Sequence, residues 1–186
     1  PIHWCKECHT ALAEAEIEYE DVTGPSIFVK FKLNELPAGF DNIPLEDAYV
    51  LIWTTTPWTL PANTAVATAP AADYGFVKVG EDCLLVALDM VEQIAEVSGW
   101  DKYEVLDGQI KGKDLEGLTY VCPLYQDLNG KFIYADYVTL DIGTGCVHIA
   151  PGHGKDDYYA GQQFSIDMLM PVDDNGVLTK EAEQFA

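Results

Sequence analysis

Two stretches of this sequence concentrate the side chains capable of chemistry. The first is Trp53-Thr54-Thr55-Thr56-Pro57-Trp58-Thr59-Leu60-Pro61-Ala62-Asn63. Its threonine hydroxyls and its carboxamide donate and accept hydrogen bonds without carrying charge. Such a set can orient a water, a ribose and a carbonyl together. The plainer reading of Thr54 is β propensity in a strand running into a proline turn. The second stretch runs from Gly143-Thr144-Gly145-Cys146-Val147-His148 through Ala150-Pro151-Gly152-His153-Gly154 to Asp156-Asp157-Tyr158. It sets a histidine at a strand end, then a glycine-rich turn through which backbone can approach a ligand, then two acids opening a helix. The helix dipole favours a carboxylate there, so Asp157 is expected to stay ionised and able to pair with an ammonium group. Simple helix starters would account for both acids as well, and a structural histidine for His148.

Other routes to catalysis find little support. No G-x-S-x-G elbow occurs, and Ser26, Ser98 and Ser165 lack a triad setting. No G-x-x-x-x-G-K-[ST] loop is present for a nucleoside triphosphate. His148 and His153 are spaced H-x-x-x-x-H, an unfamiliar ligand pattern. Cys5 and Cys8 form a single C-x-x-C, which supplies two ligands where a structural zinc takes four. The pair reads as a half-site completed elsewhere, as two free thiols, or as a local site closed by His3 and His9.

The elements that would carry these stretches are mostly short strands. Residues 11–20 alternate alanine, isoleucine and tyrosine with glutamate and predict a strand with a charged outer face. Ile27 to Leu33 and Ala48 to Thr54 are better strands. Phe76 to Val79 and Cys83 to Leu88 predict a hairpin around Gly80. Asp89 to Ser98 reads as a helix, with Asp89 and Glu92 spaced as a capping box. Short strands follow, with turns expected at Gly108, Gly112, Gly117 and Gly130. Lys131 to Leu140 and Cys146 to Ala150 predict two more strands, and a second helix is expected from Asp156 to Phe164. The pattern predicts a mainly β fold with a few helices (α+β), a barrel or a sandwich. Residues 1–10 form a Cys/His knuckle and residues 11–186 one domain.

Composition sets the bounds. Of 186 residues, 48% are hydrophobic and 22% charged, a balance that supports a packed core. The net charge of −21 comes with only ten scattered basic residues. That argues against broad affinity for nucleic acid, which relies on Lys and Arg neutralising phosphates, and leaves room for contact with a small part of such a polymer. Five cysteines, an odd number with only one close pair, fit a reducing cytoplasmic setting. No apolar run reaches the roughly 18 residues that span a membrane. The chain opens at Pro1 and closes at Ala186 in mid-pattern, and is expected to be a piece of something longer.

Together the two stretches resemble the editing insertion, or connective peptide, of the class I aminoacyl-tRNA synthetases for branched aliphatic amino acids. W-T-T-T-P-W-T-L-P-A-N is similar to the isoleucyl member. The valyl and leucyl relatives usually carry Arg at the position of Thr56 and an acid at that of Trp58. G-T-G-x-V-H-x-A-P-G-H-G-x-D-D-Y is also isoleucyl-like, whereas the relatives tend to place other residues where His148 stands. The resemblance runs from W-C-K-E-C to P-V-D-D-N-G. The catalytic-core signatures H-I-G-H and K-M-S-K-S are absent, as an excised domain without ligase activity would require.

What the resemblance implies is specific. The fold would be the distorted β-barrel of these editing domains. The activity would be hydrolysis of valine wrongly esterified to tRNA(Ile). Asp157 would pair with the substrate's α-ammonium, and Thr55, Thr56 and Thr59 would bind the terminal adenosine and place the attacking water. Trp53, Thr54, Asn63, Gly152 and His153 would add substrate contacts. His148 would be the wall that excludes isoleucine. Editing would need no cofactor, and a structural zinc at Cys5 and Cys8 would be completed outside this chain. Partners would be the tRNA(Ile) 3′ end and the remainder of the synthetase, with no membrane and a monomeric state. Valyl or leucyl specificity, a noncatalytic tRNA-end module and a purely structural domain are the alternatives. Every role assumes that the threonine-rich and His-Asp stretches meet as walls of one cavity.

Overall fold

The computed structural model describes residues 2–122, 124–125 and 128–185. In chain order its elements are β1 (Trp4–Cys5), β2 (Thr10–Ala11), β3 (Ile27–Lys32), β4 (Ala48–Thr54), β5 (Ala65–Thr68), β6 (Asp73–Val79) and β7 (Asp82–Ala87). The helix α1 (Val91–Ser98) follows, then β8 (Glu104–Val105), β9 (Ile110–Lys111), β10 (Thr119–Val121), β11 (Asn129–Tyr134), β12 (Cys146–Ile149) and α2 (Lys155–Gln163). One sheet has the order β3-β4-β7-β6-β8, with β9 also paired to β6. A second has the order β10-β11-β5-β12. An isolated antiparallel bridge, Leu33 to Tyr120, links their edges. The mainly β character with few helices matches the expectation, whereas the distorted barrel implied by the resemblance is not closed. Among the described residues strands β3 to β12 stay in two sheets, because β12 packs against β4 without joining its hydrogen-bond ladder.

The period of two along the strands sorts side chains between two cores. In β5, Val66 enters the larger core with Phe31, Ile52, Tyr74, Phe76 and Leu85. Its neighbours Ala65 and Ala67 turn to a smaller core with Ile133, Ile149 and Ala160 of α2. Their small size lets α2 approach the sheet closely. A fully buried Phe or Leu in the larger core contributes about 1.5–3 kcal/mol each from burial. The same alternation in β12 puts Cys146 in the larger core and Ile149 in the smaller one. His148, two residues from Cys146, therefore faces between the sheets.

Several local expectations differ from the structure. In the stretch 11–20 only Ala11 lies in a strand, Glu14–Glu16 form a 3₁₀ turn, and no regular element follows up to Ser26. Almost every side chain there is exposed, so its apolar positions have no face to bury. Asp89 caps nothing: it lies in a 3₁₀ turn over Leu88–Met90, and α1 starts behind Met90 without a side-chain cap. The strand expected to reach Leu140 ends at Tyr134, after which Val138 N–H bonds back to Ala135 C=O in a turn. Gly130 is a strand residue of β11 and Gly112 opens a 3₁₀ turn. The strand over 48–54, the hairpin around Gly80 and the helix near 156–164 fall where expected.

The first residues form the small β1–β2 hairpin, which docks on a turn near the other end of the chain. Trp4 Nε1 donates to Asp174 C=O at 2.9 Å, and His9 Nε2 meets Asn175 Oδ1 at 3.0 Å.

Candidate active site

The cavity between the threonine-rich stretch and the His-Asp stretch has a volume of about 500 Å³. Trp53, Thr54, Thr55, Thr56 and Thr59 line it from the first stretch. His148, His153 and Asp157 line it from the second. The two stretches meet because β4 and β12 pack against each other and both end at this point.

The threonine wall is built by its own hydrogen bonds. Thr54 closes β4, and its buried Oγ1 accepts from the Thr56 N–H at 3.1 Å. This turns the chain out of the strand into a 3₁₀ turn over Pro57–Ala62, with proline at its first position, where the missing N–H costs nothing. Thr59 N–H then bonds to Thr56 C=O at 3.0 Å and Thr59 Oγ1 donates to the same oxygen at 2.8 Å. Thr55 and Thr56 are left exposed on the cavity side.

His148 is buried and held from both sides. Its Nε2 lies 2.9 Å from Thr59 Oγ1, and its Nδ1 lies 2.8 Å from Asn63 Nδ2. An amide nitrogen has no lone pair to offer, so Nδ1 must accept and the ring proton sits on Nε2. Thr59 Oγ1 receives that proton's hydrogen bond and passes its own to Thr56 C=O. Burial, with a smaller effect from His153, pushes the His148 pKa down to about 4. The ring is neutral at neutral pH, with no free lone pair on either nitrogen.

Asp157 stands in the first turn of α2, and its Oδ2 accepts from Ala150 N–H at 2.8 Å. The helix start was expected to keep this carboxylate readily ionised. Instead burial is the larger effect and raises its pKa, against the lowering contributed by Ala150 N–H. A cation beside it would reverse that balance. Gly154 precedes α2, and a Cβ there would lie 3.0 Å from Asp157 Cγ. A side chain there would crowd the carboxylate.

Two expected contacts fall outside the cavity. Asn63 is buried below it and touches His148 instead of the open space. Gly152 borders a neighbouring hollow with Trp4 and Met170. Conversely Tyr137, Thr139 and Ile142 join the lining. Tyr137 and Thr139 flank Val138 with a period of two, a signal obscured by assigning the whole stretch to one strand. Trp58, which was not among the expected site residues, also borders the cavity and is exposed.

Cys5 and Cys8 lie away from this cavity, in the terminal hairpin. Cys8 N–H points at Cys5 Sγ at 3.3 Å, and the Cys8 and Glu7 N–H groups lower the Cys5 pKa. Neither His3 nor His9 completes a set: among the described residues no three His, Cys, Asp or Glu side chains gather in a group fit to hold a metal ion. Among the described residues, too, no helix is long and apolar enough to cross a membrane.

No protein-family model matches the chain. It is 48% identical over all its 186 residues to the isoleucine–tRNA ligase of Thermotoga petrophila and 46% identical over 185 residues to that of Syntrophomonas wolfei. In both cases the whole chain is covered. The chain belongs to the isoleucyl-tRNA synthetase family. It spans 19% of the length of these relatives. Its fold is that of leucyl-tRNA synthetase editing domains. The crystal structure of GlLeuRS-CP1 superimposes with a TM-score of 0.62 at 20% identity, covering 87% of this chain and 69% of that one. The P. knowlesi cytosolic leucyl-tRNA synthetase editing domain gives 0.58 at 16% identity, covering 72% and 59%. The chain is thus an isoleucyl-family segment with an editing-domain fold, and the cavity lies at the heart of that segment.

Proposed function

We propose that this chain hydrolyses valine from mischarged tRNA(Ile), acting after the amino acid has been transferred to the tRNA. The observation that carries this reading is the cavity itself: one stretch lines it with uncharged hydroxyls, and the other with a half-buried carboxylate and a neutral imidazole. Its volume of about 500 Å³ suits an aminoacyl-adenosine.

Asp157 pairs with the α-ammonium, which restores the charge that burial disfavours. Thr55, Thr56 and Thr59 hold the adenosine end and the attacking water, with Trp53, Thr54 and His153 bordering the same space. The water oxygen adds to the ester carbonyl carbon, and the carbonyl oxygen takes the negative charge. The carbon–ribose oxygen bond then breaks, and the proton lost by the water ends on the ribose oxygen. His148 cannot serve as the base, since Nε2 carries a proton and Nδ1 is occupied. Asp157 is committed to the ammonium. Catalysis therefore rests on positioning and on stabilising the oxyanion, with help from the neighbouring ribose hydroxyl.

His148 supplies selectivity. One methylene is worth about 1–3 kcal/mol to a binding site, so a synthetic site alone rejects valine poorly; isoleucyl discrimination is the standard case of this limit. A second cavity that admits valine and is too short for isoleucine completes the separation. The synthetase body holds the tRNA, so a domain of net charge −21 need receive only the last nucleotide. In this reading the chain works as a monomer, with both motif stretches of one copy lining its own cavity. Cys5 and Cys8 provide two thiolates of a structural zinc whose other ligands lie outside this chain. Zinc analysis of the full synthetase against its Cys8→Ser variant would reveal one equivalent lost per chain.

The deciding experiment supplies Val-tRNA(Ile) and Ile-tRNA(Ile) to the full-length synthetase containing this chain. Release of valine with isoleucine retained is expected. If both esters stay intact, the domain is a noncatalytic holder of the tRNA end. If both are cleaved equally, His148 is no sieve.

A further inference from the structure

Tyr120 never reaches the cavity. It is fully buried at the seam of the two sheets, where its strand β10 pairs with β11 and bridges to Leu33. Gly130 lies directly opposite in register, and a Cβ there would overlap the Tyr120 ring and hydroxyl. The ring therefore lies across the glycine, between Phe31 and Phe132, with centroids 5.1 and 5.9 Å away. This packing aims the hydroxyl inward, where it donates to Asn63 Oδ1 at 2.7 Å. Asn63 Nδ2 in turn donates to Ala65 C=O at 3.0 Å and to His148 Nδ1 at 2.8 Å. The two fixed groups decide which way the amide points. Tyr120 offers a proton to Oδ1, and Ala65 accepts one from Nδ2. A reversed amide would set oxygen against the Ala65 carbonyl.

We propose that Tyr120 is a positioning residue for specificity: through Asn63 it fixes the tautomer and seat of the His148 ring, and so sets the length of the amino-acid pocket. The inference rests on the editing role given to His148 above. Without the tyrosine hydroxyl, Asn63 Oδ1 loses its donor, only the Ala65 carbonyl still opposes the reversed amide, and that orientation becomes populated beside the native one. The turned amide presents an oxygen to His148 Nδ1, the proton moves to Nδ1, and Nε2 becomes an acceptor. Thr59 Oγ1 must then donate to Nε2 and release Thr56 C=O. The ring loses one of two seats and the threonine wall loosens with it. Full burial holds the Tyr120 pKa well above its usual value, so the hydroxyl remains a donor throughout the working pH range.

The test uses Tyr120→Phe, which keeps the ring in its aromatic packing. In the full-length synthetase the ratio of Ile-tRNA to Val-tRNA deacylation should rise about tenfold, the scale of one-methylene discrimination. In the same full-length enzyme, ¹⁵N-histidine spectra, with His148 assigned by comparison with His148→Gln, should report Nε2–H in the wild type and a mixture in Tyr120→Phe. Asn63→Asp offers a second route, since its carboxylate accepts from Nδ1–H; it should shift the tautomer further and relax the ratio likewise. An unchanged ratio or an unchanged tautomer in both variants overturns the proposal, as does a change in one without the other. If the wild-type enzyme cleaves neither ester, the editing reading falls. The ring spectra then decide by themselves whether Tyr120 seats His148.

Discussion

Asp157 and Ala150 are joined by a 2.8 Å hydrogen bond from the Ala150 N–H to the carboxylate Oδ2. The bond ties the first turn of α2 to the end of β12, and it fixes the carboxylate on the cavity wall. The residue that would read the substrate's charge is thus anchored by the strand that carries His148.

Asp157→Asn keeps an oxygen for Ala150 N–H and removes the charge. Losing a charge-assisted contact of about 1.5–3 kcal/mol should slow Val-tRNA deacylation roughly 10- to 100-fold. Stability should respond in the opposite sense. Burial raises the folded-state pKa, so the native protein binds this proton more tightly than the unfolded chain. Stability therefore falls as pH rises through the window between the unfolded and folded values. Above that window the asparagine variant should melt no lower than wild type. A deacylation rate near wild type would remove Asp157 from the ammonium site.

His148→Ala should open the pocket to the longer side chain. In the full enzyme, hydrolysis of Ile-tRNA(Ile) should rise to within about tenfold of that of Val-tRNA(Ile), since only a methylene's worth of discrimination would remain. Continued sparing of Ile-tRNA would show that another residue is the wall.

Acid should act on His148 through the fold. Its folded pKa of about 4 lies below the ordinary 6.5. Between these values the unfolded chain binds the extra proton, so stability is present above pH 6.5 and is lost as pH falls toward 4. At about 1.36 kcal/mol per pH unit the contribution is on the order of 3 kcal/mol. Melting curves at pH 7 and pH 4.5 should show a larger drop for wild type than for His148→Gln. Equal drops would mean that the ring is not held neutral.

Gly154→Ala tests the close approach at the start of α2. The added Cβ, 3.0 Å from Asp157 Cγ, should push the carboxylate off Ala150 N–H. Deacylation should fall by about the factor seen for Asp157→Asn, while the melting temperature changes by only a few degrees, the effect of about 1 kcal/mol in a domain of this size. Wild-type activity would show that the carboxylate has room to spare.

The sequence by itself determined the strands with a clear period of two, over 27–33 and 48–54, the second helix, and the two stretches that line the cavity. These signals are local: alternation, proline and glycine turns, and acids at a helix start act within a few residues. It misread residues 11–20 for the same reason, since alternation predicts a strand only where a second surface exists to bury one face. Only the tertiary structure decided that strands β3 to β12 form two sheets and not a closed barrel. It also decided that Asn63 serves His148 from below and that Tyr120 stands behind Asn63. Those contacts join residues 57 and 85 positions apart. Burial, which sets the charge states of His148 and Asp157, likewise depends on which distant surfaces meet.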